Sequence, residues 1–374
     1  MNKSVILVGT VGNHHSLYKN ILEFLISEFE HITFLTDTRN ASLIHNYNHV
    51  VRKVKLVEFN GSSSALLKRN GRLISQHDVA FIDEFFGSFT WLPFVKIKCR
   101  KKVLITHNVN KWLNPKMATD IKSIVNHCLK RKFFRSFDAH LTIAPNVKRY
   151  FLDIQGDKPV YYIPFDSTPD FEAGKKPTER IQVTIPGTIS SSRRNYDDLL
   201  KEIEKYVNSA PETNIRFVFL GRVTNKSDIY ITQWIDKINL SHPGLINYWN
   251  EFIAEEEFEN ELNQSSFLLS NLIVVNNYID RIEVYGQSKE SGISFAMYKN
   301  CIPGIIPINQ QVLEGFDDQI IRFKSYASLL NIFSEIDQGN FNPLTMHEKA
   351  KKNKTAFDKM ALEESKRILD FIKS

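Results

Sequence analysis

The strongest constraint in this chain is an alternation of short apolar runs with amphipathic stretches, which is interrupted once and then resumes. "SVILVG" (4–9) is strand-sized, and the stretch 16–28 after it sets Leu17, Ile21, Leu22 and Leu25 on one helical face. "HITFLT" (31–36), "VRKVKLVEF" (51–59), "DVAFID" (78–83), "KKVLITHN" (101–108) and "AHLTIAP" (139–145) continue the series with helical patterns between several of them. Strands separated by helices pair in parallel, because only a crossover returns the chain to the same end of the sheet. Three prolines and a glycine in "PFDSTPDFEAGKKPTER" (164–180) break the rhythm as an interdomain connection would. It then restarts with "RIQVTIPG" (180–187), "NIRFVFLG" (214–221), "GLINYW" (244–249), "SFLLSNLIV" (266–274) and "CIPGIIP" (301–307), with helices expected near 197–207, 229–238 and 255–263. The expectation is an α/β protein of two doubly wound, Rossmann-like domains: 1–168, a linker at 169–180, 181–344, and a long closing helix at 345–374.

Composition narrows the class. Of the 374 residues 42% are hydrophobic, enough for two cores, yet no run nears the length of a spanning helix and 85–95 is broken by Gly and Pro. The opening "MNKSVILVG" reads as a strand, not as a signal peptide. Three scattered cysteines, Cys99, Cys128 and Cys301, suit a reducing cytoplasm and neither a disulfide framework nor a cysteine zinc site. Net charge is +6, but residues 1–165 carry 24 Lys and Arg against 12 Asp and Glu, whereas 166–374 carry 24 against 30. The basic half holds "KIKCRKK" (96–102) and "KRKFFRSF" (130–137). Such cations suit an anionic membrane surface, a lipid diphosphate or nucleic acid, unless they are only a solvated lysine-rich face.

Several chemistries lack their motif. "GTVGNHH" (9–15) offers Gly9 and Gly12 but no GxGxxG, so a nicotinamide or flavin site is missing its phosphate fingerprint. No GxxxxGK[ST], Asp-x-Asp or GxSxG occurs, and the adjacent His14 and His15 are poorly spaced for one metal ion. No cofactor is expected.

Two stretches stand out instead. In "YGQSKESGISFAMYKNCIPGIIP" (285–307), Ser291 is placed to cap a helix, and Gly292 lets a ligand approach the backbone. A helix start offers free amides and a partial positive charge. Lys289 would add a full charge, and Glu290 could accept hydrogen bonds from sugar hydroxyls. A capped helix beside a solvated Lys-Glu pair fits these four residues equally well. In "IPGTISSSRRNYDDLL" (185–200), Gly187, Arg193 and Arg194 lie between a strand and a helix, and Gly221 ends the next strand. Arginine forks match phosphate oxygens, and the carboxyl ends of parallel strands are where open α/β sheets bind ligands.

These stretches, in this order, resemble the donor domain of GT-B glycosyltransferases, in particular the family-4-like enzymes of bacterial polysaccharide and lipopolysaccharide synthesis. "LITHNVNKWL" (104–113) and "LTIAPNVKRYFLD" (141–153) resemble the end of their acceptor domain. The resemblance implies two Rossmann-like domains facing across a cleft, a nucleotide-sugar donor (UDP-sugar favoured), no required metal, no nucleic acid, and a final helix crossing back to the first domain. It implies that Glu290 meets the ribose or donor sugar, that Ser291 and Gly292 start the diphosphate-binding helix, that Arg193 or Arg194 is the phosphate-binding base, and that His107 lies near the donor sugar; Gly12, Gly187, Gly221 and Lys289 complete the donor set. Where the family carries a second glutamate this chain has Ala296, or Met297 with a gap, which leaves retention or inversion open. An inverting enzyme needs a base on the first domain: Glu84 in "FIDEFFG" is the first candidate, with Asp83, His14 and His15 behind it, and each reads equally as a loop or capping residue. The implied protein is a cytoplasmic enzyme, peripheral at the inner face of a bacterial membrane, acting on a glycan or lipid-linked acceptor. A nucleotide-sugar epimerase and a catalytically silent partner subunit remain as alternatives.

Overall fold

The expected alternation forms two separate parallel sheets. The computed structural model describes residues 4–10, 15–84, 97–116, 121–164 and 180–374. Two compact units emerge, one of 1–167, 277–290 and 358–374, the other of 168–276 and 291–357. Residues 277–290 thus pack with the first unit, although in sequence they belong to the stretch 181–344. The proposed linker lies almost wholly outside the described residues, as does the segment 85–95.

Among the described residues the first unit holds a seven-stranded sheet: β1 (Ser4–Val8), β2 (His31–Thr36), β3 (Val54–Glu58), β4 (Val79–Asp83), β5 (Lys101–Ile105), β6 (Ala139–Thr142) and β7 (Val160–Tyr162). Their spatial order is β3-β2-β1-β4-β5-β6-β7, and every neighbouring pair is parallel. Central β1 and β4 are buried along almost their full length, which is why both read as continuous apolar runs without alternation. Edge strand β3 alternates instead, with Lys55 and Glu58 outward.

The second unit repeats the plan with β8 (Ile181–Pro186), β9 (Ile215–Leu220), β10 (Ile246–Tyr248), β11 (Phe267–Leu269), β12 (Gly304–Pro307) and β13 (Ile320–Phe323), ordered β10-β9-β8-β11-β12-β13 and parallel throughout. Helix Tyr196–Ser209 buries Leu199, Leu200, Ile203 and Val207 against this sheet, the i, i+3, i+4 stripe its sequence promised.

Each sheet therefore has one place where strand order reverses: between β1 and β4 in the first, and between β8 and β11 in the second. Crossovers leave that point in opposite directions, so a crevice opens beyond the carboxyl ends of the strands. The closing helix, Pro343–Lys373, ends in the first unit. There Arg100 Nη2 donates to the carbonyl of Ile372 at 2.7 Å, and the Lys101 ammonium lies 4.5 Å from the Phe371 ring. A cation at a helix carboxyl end meets its unsatisfied carbonyls and negative pole. Part of the basic run 96–102 is spent inside the fold in this way. Among the described residues no helix is long and apolar enough to cross a membrane.

Candidate active site

At the reversal point of the first sheet the strand ends carry charge. β4 ends in Asp83 and runs on into Glu84, whose carbonyl accepts from Thr10 Oγ1 beyond β1 at 2.6 Å. From β5 the chain passes through Thr106, His107 and Asn108 into the short helix Val109–Leu113. Asp83 accepts from His107 Nε2 at 2.7 Å and also from the Tyr18 hydroxyl. Glu84 accepts from Asn108 Nδ2 on one oxygen and from Trp112 Nε1 at 3.0 Å on the other, where Lys111 Nζ also stands 3.7 Å away. Asp83, Glu84, His107 and Lys111 are all buried.

Burial penalises every charge here, so the pairings decide the protonation states. Burial alone would push the His107 imidazole down, but the Asp83 charge and hydrogen bond outweigh it and hold it above its ordinary value. Burial pushes the Glu84 carboxyl up, yet Lys111, His107 and the Trp112 hydrogen bond leave it below the usual carboxylate range. Lys111 is pushed down by burial against the pull of Glu84.

Residues 277–290 complete this cluster. Glu283 accepts from the Lys111 backbone N–H at 3.2 Å, from Arg281 Nε at 3.1 Å and from Ser288 Oγ at 2.6 Å. Burial pushes its carboxyl up to about 7, against the Ser288 hydrogen bond and the Arg281 charge. The Val109 N–H donates to the carbonyl of Ser288 at 2.9 Å. Glu290 accepts from Asn146 Nδ2 at 2.6 Å, and the Lys289 ammonium stands 5.4 Å from the Tyr285 ring. Lys289 and Glu290 accordingly pack within the first unit, while their neighbours Ser291 and Gly292 pack within the second.

The second sheet's reversal point is made differently. Gly187, just past β8, has φ of 103°, in the left-handed region, and a Cβ there would stand 2.3 Å from the Arg194 guanidinium. A Cβ on Gly221, past β9, would stand 2.2 Å from the Gly187 carbonyl oxygen. Gly187 is glycine for its positive φ and the guanidinium beside it, and Gly221 because the two loops lie against one another, stitched by Gly187 N–H to Leu220 O at 2.9 Å and Ile189 N–H to Arg222 O at 3.0 Å. Arg194 turns its fork inward, donating to Thr188 O at 2.9 Å and Pro186 O at 3.0 Å, whereas Arg193 is exposed. Past β11, Ser270 Oγ donates to Gln310 Oε1 at 2.6 Å, and Gln310 Nε2 stands 3.5 Å from Ser291 Oγ. This chain of contacts brings the start of helix Gly292–Asn300 to the same rim. Ser291 occupies the N-cap position, but its side chain makes no cap hydrogen bond, and the space over Gly292 is open to 4 Å. The helix ends at Cys301, whose φ of 52° is a left-handed cap usually given to glycine.

The rim of the second sheet thus gathers Gly187, Gly221, Arg193, Arg194, Ser291 and Gly292, and that of the first gathers Asp83, Glu84 and His107. Gly12 and His14 lie outside the described residues. Of the two positions aligned with a second glutamate, Met297 is a core side chain against Gly304, and Ala296 is half-buried. Sequence reading missed Tyr18, Lys111, Trp112, Glu283 and Gln310. Among these Glu283 left a trace, since "RIEV" (281–284) alternates charge with aliphatic as a short strand would.

No protein-family model matches the sequence, and no curated protein matches it. Solved structures do match. HepE from Anabaena in complex with UDP superposes with a TM-score of 0.65 at 10% identity, covering 99% of this chain and 99% of that one. A glycosyltransferase from Rickettsia africae ESF-5 gives 0.62 at 12% identity, covering 100% and 98%. A UDP-forming α,α-trehalose-phosphate synthase from Burkholderia xenovorans gives 0.59 at 11% identity, covering 100% and 99%. At this identity the likeness establishes the fold: the chain has the GT-B architecture.

Proposed function

We propose that this protein is a metal-independent glycosyltransferase that moves a sugar from a nucleoside-diphosphate sugar, UDP-sugar first among them, to a glycan or lipid-linked acceptor in cell-surface polysaccharide synthesis. The observation that carries the reading is the helix Gly292–Asn300, presented at the reversal point of the second sheet without a side-chain cap and with open space over its first residue. The positive helix end suits a diphosphate, and Arg193 adds a full charge on the same rim. The fold supports the donor class: HepE is described in complex with UDP-glucose, and an Escherichia coli trehalose-6-phosphate protein as bound with UDP-2-fluoro glucose.

In the reaction the bond between the anomeric carbon and the diphosphate oxygen breaks, while the acceptor oxygen bonds to that carbon. Negative charge grows on the departing diphosphate, where fixed amides and a guanidinium stabilise it without reorganising. The acceptor proton needs a destination. Both oxygens of Glu84 are already hydrogen-bonded and its basicity is lowered, so Glu84 holds the site's charge balance in this reading. His107, made more basic by Asp83, receives the proton, and Asp83 stabilises the imidazolium that results. Glu290 and Lys289 address the donor's hydroxyls and charge. The basic first unit holds an anionic lipid-linked acceptor at the inner membrane face.

A catalytically silent partner subunit is the second reading, favoured by Ala296, or Met297 with a gap, where the family's second glutamate would align, since neither side chain can hydrogen-bond a ribose. One panel decides between them: thermal shift with nucleoside diphosphates and their sugars, followed by nucleotide release with and without lipid acceptor. UDP raising the melting temperature together with acceptor-dependent UDP release is the expected result. Binding without release favours the silent subunit, release without acceptor favours an epimerase, and absence of any shift removes the donor site. His107→Gln is expected to lower turnover by about a hundredfold or more while leaving UDP affinity within about twofold.

A further inference from the structure

We propose that the helix Ile121–Arg135 docks the first unit on a membrane by laying one stripe of side chains on anionic lipid. Residues 121, 124, 125, 128, 131, 132 and 135 are exposed, at the three- and four-residue steps that place them along one side of a helix. The side facing away is fixed by packing, since Phe133 and Phe134 stack on Trp112 with ring centroids 6.4 and 5.7 Å apart. A solvated stripe would be polar along its length. This one begins with Ile121, Ile124 and Val125, exposed by 80, 48 and 49%, passes through exposed Cys128, and ends in Arg131, Lys132 and Arg135.

A second element of the same unit meets this helix at Lys130. Ile279 is wholly exposed. Its neighbour Asp280 accepts the Lys116 N–H at 2.8 Å through its carbonyl, and its carboxylate stands 3.9 Å from Lys130 Nζ. Aliphatic side chains that continue into cations match the boundary between acyl chains and anionic headgroups, where apolar burial and charge attraction act together. A second copy of the stripe would have to bring carboxylates to the cationic end, and it brings three cations instead.

This inference deepens the membrane part of the proposed function. Its test uses no turnover, so the docking element and the transferase reading can fail separately. The full chain is sedimented with phosphatidylcholine vesicles, with and without phosphatidylglycerol. Binding is expected only with phosphatidylglycerol, weakening as salt rises. Ile124→Glu with Val125→Glu should lower the partition coefficient at least tenfold. Arg131→Ala with Lys132→Ala should lower it roughly fivefold per cation. An environment-sensitive fluorophore on Cys128 should shift to the blue on these vesicles, which tests the stripe without a substitution in case a variant fails to fold. Cys301 is buried, and burial pushes the Cys99 thiol up to about 11, which favours labelling at Cys128. The proposal is overturned by an absence of phosphatidylglycerol binding, by binding that both variants retain, by an unmoved fluorophore, or by a sedimentation change in Ile124→Glu/Val125→Glu without lipid, which would give the stripe to a second copy.

Discussion

The two sheets share a strand order but finish their reversal points in opposite ways. In the first unit the strand ends are filled with the chain's own charges: Asp83 on His107, Glu84 on Lys111 and Trp112, Glu283 on Arg281 and Ser288. In the second the rim is open over Gly292, where the helix starts without a side-chain cap bond, whereas the Arg194 guanidinium and the Gly187 carbonyl close in on Gly187 and Gly221. A filled, dry site tunes protons, since each buried charge shifts its neighbours. An open rim with aligned amides leaves room for an anion. In the reaction proposed above, the first set of groups would serve proton transfer and the second the phosphate.

The largest effect should come from unbalancing the filled site. Glu84→Ala leaves the Lys111 charge buried without its main partner, and such breaks cost about 3–5 kcal/mol. Urea unfolding should register that loss, and adding Lys111→Met should recover part of it by removing the stranded charge. If the double variant is no more stable than Glu84→Ala, the pairing is not what the buried cluster depends on. Next comes overfilling the second rim. Gly221→Ala drives a methyl into the Gly187 carbonyl and should cost about 1–3 kcal/mol while also weakening UDP binding. An unchanged midpoint would mean the loops move apart freely, and the close approach would then not be what demands glycine at Gly221.

A smaller effect should separate the two arginines. Arg194→Ala removes the fork from the carbonyls of Pro186 and Thr188, so it should lower stability by about 1–3 kcal/mol. Arg193→Ala, at an exposed side chain, should cost less stability than Arg194→Ala and weaken UDP binding by roughly tenfold. Calorimetric titration on folded variants distinguishes them, and a reversed pattern would exchange their roles.

That division was not visible in "SSSRRNYDD", where either arginine could serve the ligand. The doubly wound sheets were legible, because buried parallel strands such as "SVILV" and "VAFID" leave apolar runs that nothing else in the chain imitates. So were the glycines at strand ends, since a close approach admits few other residues. What could not be read was long-range placement. Residues 277–290 join the first unit, so the boundary between the units falls between Glu290 and Ser291, inside four consecutive letters. Nothing in "LITHNVNKWL" marks Lys111 as a buried charge. Only the fold brings Glu84 and Glu283 to it.

The finest probe of the filled site is the proton on Glu283. Burial raises its carboxyl from the ordinary 4.5 to about 7, with Glu84 adding to the rise and Ser288, Arg281 and Lys289 opposing it. Between those two values the folded chain holds a proton that the unfolded chain has released. The stabilisation this group contributes is therefore complete below pH 4.5 and is lost as pH rises through about 7. Glu84 acts with the opposite sign, its contribution being lost as pH falls through its lowered value, so the whole protein's pH profile mixes the two. The difference between wild type and Glu283→Gln isolates one of them. Plotted from pH 4.5 to 8, the wild type should lose stability relative to the variant by at most about 1.4 kcal/mol per pH unit, the slope of a single proton. Parallel curves would place Glu283 among ordinary ionised carboxylates. The filled site would then be a set of fixed ion pairs with no proton to share, and its contrast with the open rim would be one of packing alone.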